Sequence, residues 1–220
     1  MVGRRKYDEG CAVSHALDLI GERWALLVIR ELLLGPKRFS DLRAGIPGAS
    51  PDVLATRLRE LTDAGVVHRR TLPPPAASQV YELTDWGAGL EPVITHLGRW
   101  GSRSPSLRHD AEGSIDSLLL SLRSLFDPRA ADGFNATITL VVEGRPFRVE
   151  IADGCFHLAG GAANDPAATL DTDRRTQAAL LYGDRSIDDA LRAGEATVTG
   201  DTAVVARFLR LFPLPAPAAG

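Results

Sequence analysis

Apolar positions recur at helical spacing through the first hundred residues and switch to a spacing of two in short, bounded runs. Ser14–Gly21 and Glu22–Gly35 predict two helices, the second carrying Trp24, Leu27, Val28, Leu32 and Gly35 at helical intervals. The run "RFSDLRAGIPG" predicts a short helix started by Ser40. The sharpest pattern is "GASPDVLATRLRELTDAGVVHRR", Gly48 to Arg70. Ser50 is a good N-cap, Pro51 sits where a missing N–H costs nothing, and Gly65 suits the left-handed residue that closes a helix. On a helical wheel Leu54, Leu58 and Leu61 share one side, Asp52, Thr56, Arg59 and Asp63 the other, and Arg57 lies at the border. The runs "VVHRRTL" and "SQVYELT", separated by "PPPAA", predict an antiparallel pair with a stiff tip. A helix from Asp85 to Trp100 is expected to close this part.

Ser102–Ser114 is polar, contains Pro105 and Gly113, and has almost no apolar periodicity, so it is expected to link domains 1–104 and 105–220. Beyond it, Ile115, Leu118, Leu119, Leu122 and Leu125 line one side of a helix from Ser114 to Phe126. "ATITLVVEG" and "RPFRVEIADG" predict a hairpin with Phe147, Val149 and Ile151 facing one way and Arg148 and Glu150 the other. Further strands are expected at "CFHLAG", "AATLDT" and "EATVTG", and helices at Asp173–Tyr182, Ser186–Ala193 and Asp201–Phe212, with Ser186 and Asp189 placed like a capping box. The Pro/Ala-rich tail after Phe212 is expected to be loosely held. The fold class is therefore α+β: a helical half with a two-stranded wing, then a half with about five strands.

With 45% apolar and 24% charged residues, the chain reads as soluble and globular, and its apolar runs are cut well before a bilayer-spanning length. Arg4, Arg5 and Lys6 are followed by Tyr7, Asp8 and Glu9 where a signal peptide needs apolar residues, so a cytoplasmic location is expected, with no membrane partner. The net charge of −3 conceals an asymmetry: residues 1–104 carry 14 basic and 12 acidic residues, and 105–220 carry 11 and 16. A polyanion would meet the first half.

Within residues 37–70 there are 7 basic and 4 acidic residues. The basic side chains Lys37, Arg38, Arg57, Arg59, His68, Arg69 and Arg70 flank the Ser50 helix, while the short side chains of Ser50 and Thr56 permit close approach to a groove. Phosphate contacts from this set would supply salt-dependent affinity, and Thr56, Arg57 and Arg59 would reach base edges. Asp52 would either favour the helix N-terminus or accept from a cytosine amine. The order of three helices, a capped helix, a two-stranded wing and a closing helix is that of a winged helix-turn-helix, expected to bind double-stranded DNA.

Residues 8–101 also resemble the HxlR-type winged helix-turn-helix transcriptional regulators. The resemblance rests on the Cys near the start, "LDLIG" before Trp24, "REL", "GPKRFSDL", "LATRLREL" and "YELTDWG" in order. It implies a homodimer binding pseudo-palindromic operators, with Ser50 to Ala64 as recognition helix and Arg69 to Gln79 as wing, although the tip "PPPAAS" is rich in proline and poor in charge. It also makes Cys11 a candidate redox thiol, with His15 one turn away and Arg4, Arg5 and Lys6 upstream. Asp8 and Glu9 oppose the thiolate, and a small packing residue near a dimer interface is the competing assignment. Cys155, inside an expected strand, is expected in the core.

The second half, over about residues 113–213, resembles the sterol-carrier-protein-like fold through "FNATITLVVEGRPFRVEIADG", "AATLDTDRRTQAALLYG", "SIDDALRAGEATVTGD" and "AVVARFLRLFPLP". That likeness implies a site for a hydrophobic small molecule, with Leu118, Leu122, Phe126, Phe147, Leu180, Leu181, Phe208 and Phe212 as candidate lining. Filled core is the competing assignment for each. The histidines His15, His68, His96, His109 and His157 lie on separate elements with no ligand spacing, and no nucleophile elbow is present. No metal, cofactor or catalytic group is expected, and an enzyme is not. The expected function is a homodimeric transcriptional regulator, a repressor with a hydrophobic effector. The alternative is a carrier or storage protein for a hydrophobic metabolite whose first half only dimerises.

Overall fold

The computed structural model describes residues 6–107 and 113–218. The basic pair Arg4 and Arg5, residues 108–112 of the expected linker and His109 among them lie outside the described residues. The chain divides into two compact units, residues 1–94 and 95–220. Among the described residues no helix is long and apolar enough to cross a membrane.

In the first unit, α1 (Ala12–Ile20), α2 (Ala25–Leu32), α3 (Phe39–Gly45) and α4 (Pro51–Asp63) precede β1 (Val67–Thr71) and β2 (Gln79–Leu83). α2 starts three residues later than the apolar pattern alone suggests, because Trp24 takes a left-handed conformation (φ 80°). Its indole then lies over Gly48 in the turn between α3 and α4, where a Cβ would come within 2.7 Å of the ring. α3 begins before Ser40: Arg38 is the N-cap residue, and Asp41 accepts its backbone N–H at 3.1 Å. The expected closing helix is two helices, α5 (Asp85–Ala88) and α6 (Glu91–Gly101), as Gly87, Gly89 and Pro92 weaken one continuous helix. Gly87 also passes so close to the Val66 carbonyl oxygen that a Cβ would sit 2.1 Å from it.

α4 ends in a Schellman arrangement. Val66 N–H donates to the Leu61 carbonyl at 2.9 Å and Gly65 N–H to that of Thr62 at 3.0 Å, with Gly65 at φ +72°. Leu54, Leu58 and Leu61 are almost fully buried against Val28, Ile29 and Leu32 of α2, Leu42 of α3 and the strand residues Val66 and Val67. Burial of three leucines stabilises the seat of α4 by roughly 1.5–3 kcal/mol each.

In the second unit, α7 (Ile115–Leu125) precedes a five-stranded sheet made of β3 (Ala136–Val142), β4 (Arg145–Ala152), β5 (Cys155–Gly160), β6 (Ala168–Thr172) and β7 (Ala196–Gly200). The helices α8 (Arg174–Tyr182) and α9 (Ile187–Ala193) lie between β6 and β7, and α10 (Thr202–Phe208) follows β7. The order is β5-β4-β3-β6-β7, with β3 and β6 parallel and the other neighbours antiparallel. Phe147, Leu140, Leu170 and Val198 are aligned across four strands, and Phe147, Val149 and Ile151 are buried while Arg148 and Glu150 are exposed, as alternation requires.

Cys155 corrects the expectation of a core thiol: it is exposed. β5 is an edge strand whose inward positions are those of Phe156 and Leu158, so the first residue of the strand points out. The tail is also more ordered than its composition implies, since Ala218 N–H donates to the Arg103 carbonyl at 2.8 Å and Arg103 Nε to that of Ala216 at 3.2 Å.

Candidate nucleic-acid interface

α3, the turn at residues 46–50 and α4 form the helix-turn-helix, and β1 and β2 the wing. Ser50 Oγ accepts the Val53 N–H at 3.4 Å and fixes the first turn of α4. With the leucines buried, α4 exposes Asp52, Val53, Arg59, Thr62 and Asp63, while Thr56 is half-buried. Asp52, Arg59 and Asp63 therefore lie on the accessible side, as the wheel predicts, Thr56 is less open than the wheel predicts, and the cap residue Ser50 is exposed.

The other basic candidates divide sharply. Lys37 is buried, its Nζ 3.0 Å from Glu31 Oε2, and Glu31 is fully buried with Arg30 Nη2 2.8 Å from its other oxygen. Lys37 also exchanges both backbone hydrogen bonds with Tyr81, at 3.0 and 2.8 Å, so it roots the wing against α2 instead of facing outward. Arg57, with a side chain 15% exposed, lies 2.6 Å from Glu60 and 3.5 Å from Glu22. These two cations are internal pairs of the unit.

On the wing, residues alternate between faces. Arg69 lies opposite Tyr81, its guanidinium 5.4 Å from the ring centroid, and donates to Gln79 on the same face. The opposite face holds His68 and Arg70 around Glu82. Arg70 bonded to Glu82 holds the carboxyl below the usual glutamate range, and Glu82 in turn raises the Arg70 guanidinium. The Arg70 charge is thus matched by the Glu82 carboxylate, whereas Arg69 donates to a neutral amide. Arg38 is exposed and its Nε donates to Ser78 Oγ at 3.0 Å, which links the start of α3 to the wing tip. Arg38, Arg59, Arg69 and Gln79 thus remain as exposed polar groups, with Ser50 and Asp52 at the start of α4.

Two contributors escape the sequence reading. Arg43 is exposed on α3, hidden among the polar residues of a short helix. Glu82, the partner of Arg70, was legible in principle, since the hairpin register that pairs His68 with Glu82 follows from the two β runs. The groove of about 800 Å3 beside α1 and the end of α4 includes Asp8, Glu9, Asp18, Glu60 and Asp63, a lining that repels a polyanion.

Cys11 is the N-cap residue of α1 and is partly exposed. It makes no cap hydrogen bond of full geometry, yet the nearby N–H groups of Ser14 and Val13 favour the thiolate and hold its pKa below the ordinary thiol value. His15 donates its backbone N–H to the Cys11 carbonyl at 2.9 Å.

In the second unit Leu122, Phe147, Leu180, Leu181, Phe208 and Phe212 are buried, and Leu118 and Phe126 are half-buried. Phe126, Phe208 and Phe212 meet in one aromatic cluster that Phe156 completes, with ring centroids 5.1–6.1 Å apart. Phe147 lies elsewhere, under the Arg145 guanidinium at 5.2 Å.

A capped helix seated on leucines, preceded by a short helix and followed by a two-stranded wing, defines a winged helix-turn-helix protein. Residues 19–108 match the HxlR-like helix-turn-helix family, and residues 112–218 match the alkyl sulfatase C-terminal family. The uncharacterized HTH-type transcriptional regulator YdeP of Bacillus subtilis (strain 168) is 39% identical over 95 residues, 43% of this chain and 74% of that one. The HTH-type transcriptional regulator YodB of the same organism is 38% identical over 91 residues, 41% of this chain and 81% of that one. A solved structure, the redox regulator HypR in its oxidized form, is 32% identical over 44% of this chain and all of that one, with a TM-score of 0.41. The chain belongs to the HxlR-like helix-turn-helix family.

Proposed function

We propose that this protein is a homodimeric DNA-binding transcriptional repressor whose second half receives a hydrophobic small-molecule effector. The observation that carries the DNA-binding part is the outward side of α4: Asp52 and Arg59 are exposed behind a Ser50 cap while three leucines hold the helix in place. In a dimer the two copies of α4 would enter successive major grooves about 34 Å apart, with Arg38, Arg43 and Arg69 on phosphates. The regulators YdeP and YodB support this reading by their likeness to the first half. Support for an effector comes from the apolar interior of the second unit and from its match to the alkyl sulfatase C-terminal family. A sterol-carrier-like binding domain accords with both. Effector binding that changes the separation of the two α4 helices would need a coupling of roughly 1–3 kcal/mol.

The test is a gel-shift titration against DNA upstream of the protein's own coding region at two salt concentrations. Arg59→Ala should lower affinity for that DNA more than for an unrelated duplex. Arg69→Ala should weaken both alike and flatten the salt dependence by about one phosphate. Equal affinity of the unaltered protein for both duplexes would refute the operator reading.

A further inference from the structure

Gln177, on α8, is fully buried, and among the described residues neither its Nε2 nor its Oε1 has a hydrogen-bond partner. The other described side chains with a buried polar atom that makes no hydrogen bond, Arg57, Glu60 and Asp116, each take part in an ion pair. Other polar side chains of α8 are satisfied: Thr176 Oγ1 donates to Asp173 at 3.2 Å, and Tyr182 shares a 2.5 Å hydrogen bond with Ser121. A buried amide left without a partner on both its donor and acceptor sides is destabilising, and a fold retains it where something else completes it. Gln177 shares one stripe of α8 with Leu180 and Leu181, three and four residues on, both buried.

We propose that Gln177 is the polar anchor for a buried amphiphile: an alkyl chain ending in a neutral group that both donates and accepts, a primary amide or a protonated carboxylic acid. Such a head donates to Oε1 and accepts from Nε2, completing both sides of the amide at once. A sulfate or carboxylate head leaves Oε1 unanswered and brings a charge into a site whose anchor offers only a neutral dipole. The alkyl chain runs along Leu180 and Leu181, replacing part of their packing. This assignment rests on the proposed effector-binding role of the second half and adds to it the chemistry of the head group.

Decanamide and decyl sulfate, titrated calorimetrically into the full-length protein, test it with Gln177→Met, and with Gln177→Leu should the first variant fold poorly. The unaltered protein should bind decanamide more tightly than decyl sulfate. The variant should lose at least tenfold in decanamide affinity, and its ligand-free melting temperature should stay level or rise because the stranded amide is gone. If unaltered protein and variant bind decanamide within threefold of each other, the anchor is wrong while the effector reading stands. Tighter binding of decyl sulfate overturns the neutral head group, and a fall in the variant's ligand-free melting temperature overturns the unsatisfied amide. Absence of binding by both probes overturns the anchor and the effector reading together.

Discussion

Lys37→Met separates a charge that builds the first unit from one that meets a ligand. Glu31 is fully buried between Lys37 at 3.0 Å and Arg30 at 2.8 Å, in space that exists because residue 45 is glycine: a Cβ there would lie 2.3 Å from Glu31 Oε2. Methionine keeps the length of lysine and removes its charge, leaving the Glu31 carboxylate with Arg30 as its remaining cation in this group. Taking one member from a buried ion pair costs about 3–5 kcal/mol, and the surviving Arg30 contact places this case near about 3 kcal/mol. For a unit of this size that corresponds to roughly 12–24 °C in melting temperature. Of the three tryptophans, Trp24 and Trp86 lie in the first unit and Trp100 in the second, so tryptophan fluorescence of a Trp100→Phe background in a urea titration follows the first unit. The midpoint should fall with an unchanged slope. Adding Glu31→Met should restore stability to within about 1 kcal/mol of the unaltered protein, because both charges then leave the interior together. A loss under about 1 kcal/mol for the single change, or a double variant no better than the single one, would refute the buried-pair account.

Arg57→Ala should lower stability by about 1–2 kcal/mol through loss of its Glu60 and Glu22 pairs, whereas Arg59→Ala should stay within about 0.5 kcal/mol in the same urea titration and act on operator affinity instead. Burial pushes the Tyr182 phenol up to about 12 from 10.0, so the folded state holds this proton longer than the unfolded one. Its contribution is complete below pH 10 and is lost as pH rises towards 12, so tyrosinate absorbance should show one of the three tyrosines ionising late, and only while the protein stays folded. In a Cys155→Ser background, the midpoint of the pH–rate profile for iodoacetamide alkylation of Cys11 should lie below 9.0, and a midpoint at or above that value would contradict the stabilised thiolate.

The fold was legible wherever one local signal decided it. Ser50, Pro51 and Gly65 bound α4 as their chemistry requires, and alternation along β4 placed Phe147, Val149 and Ile151 inward. What escaped depended on partners distant in sequence. The late start of α2 follows from Trp24 folding over Gly48, and the outward turn of Cys155 from β5 lying at the sheet edge with Phe156 and Leu158 inward. The tail is ordered by Arg103, more than a hundred residues earlier. In the candidate interface, a wheel shows which side of α4 is buried but not that Glu22 and Glu60 hold Arg57, nor that Glu31 draws Lys37 inward.

That difference changes how the basic excess of residues 37–70 acts. Of its seven cations, Lys37, Arg57 and Arg70 are matched to carboxylates inside the unit, leaving Arg38, Arg43, Arg59 and Arg69 exposed. If all four met phosphates in both copies of a dimer, the logarithmic salt dependence of DNA binding would have a slope of about −7, and about −5 if Arg59 read a base instead. Using all seven cations per copy would require a slope near about −13, and with it the opening of the Glu31, Glu60 and Glu82 pairs on binding. The buried Glu31 pair makes that opening costly, so the shallower slope is the expected one. The fold holds three of these seven cations as internal ties, and the four arginines left outside act against a surface that those ties hold still.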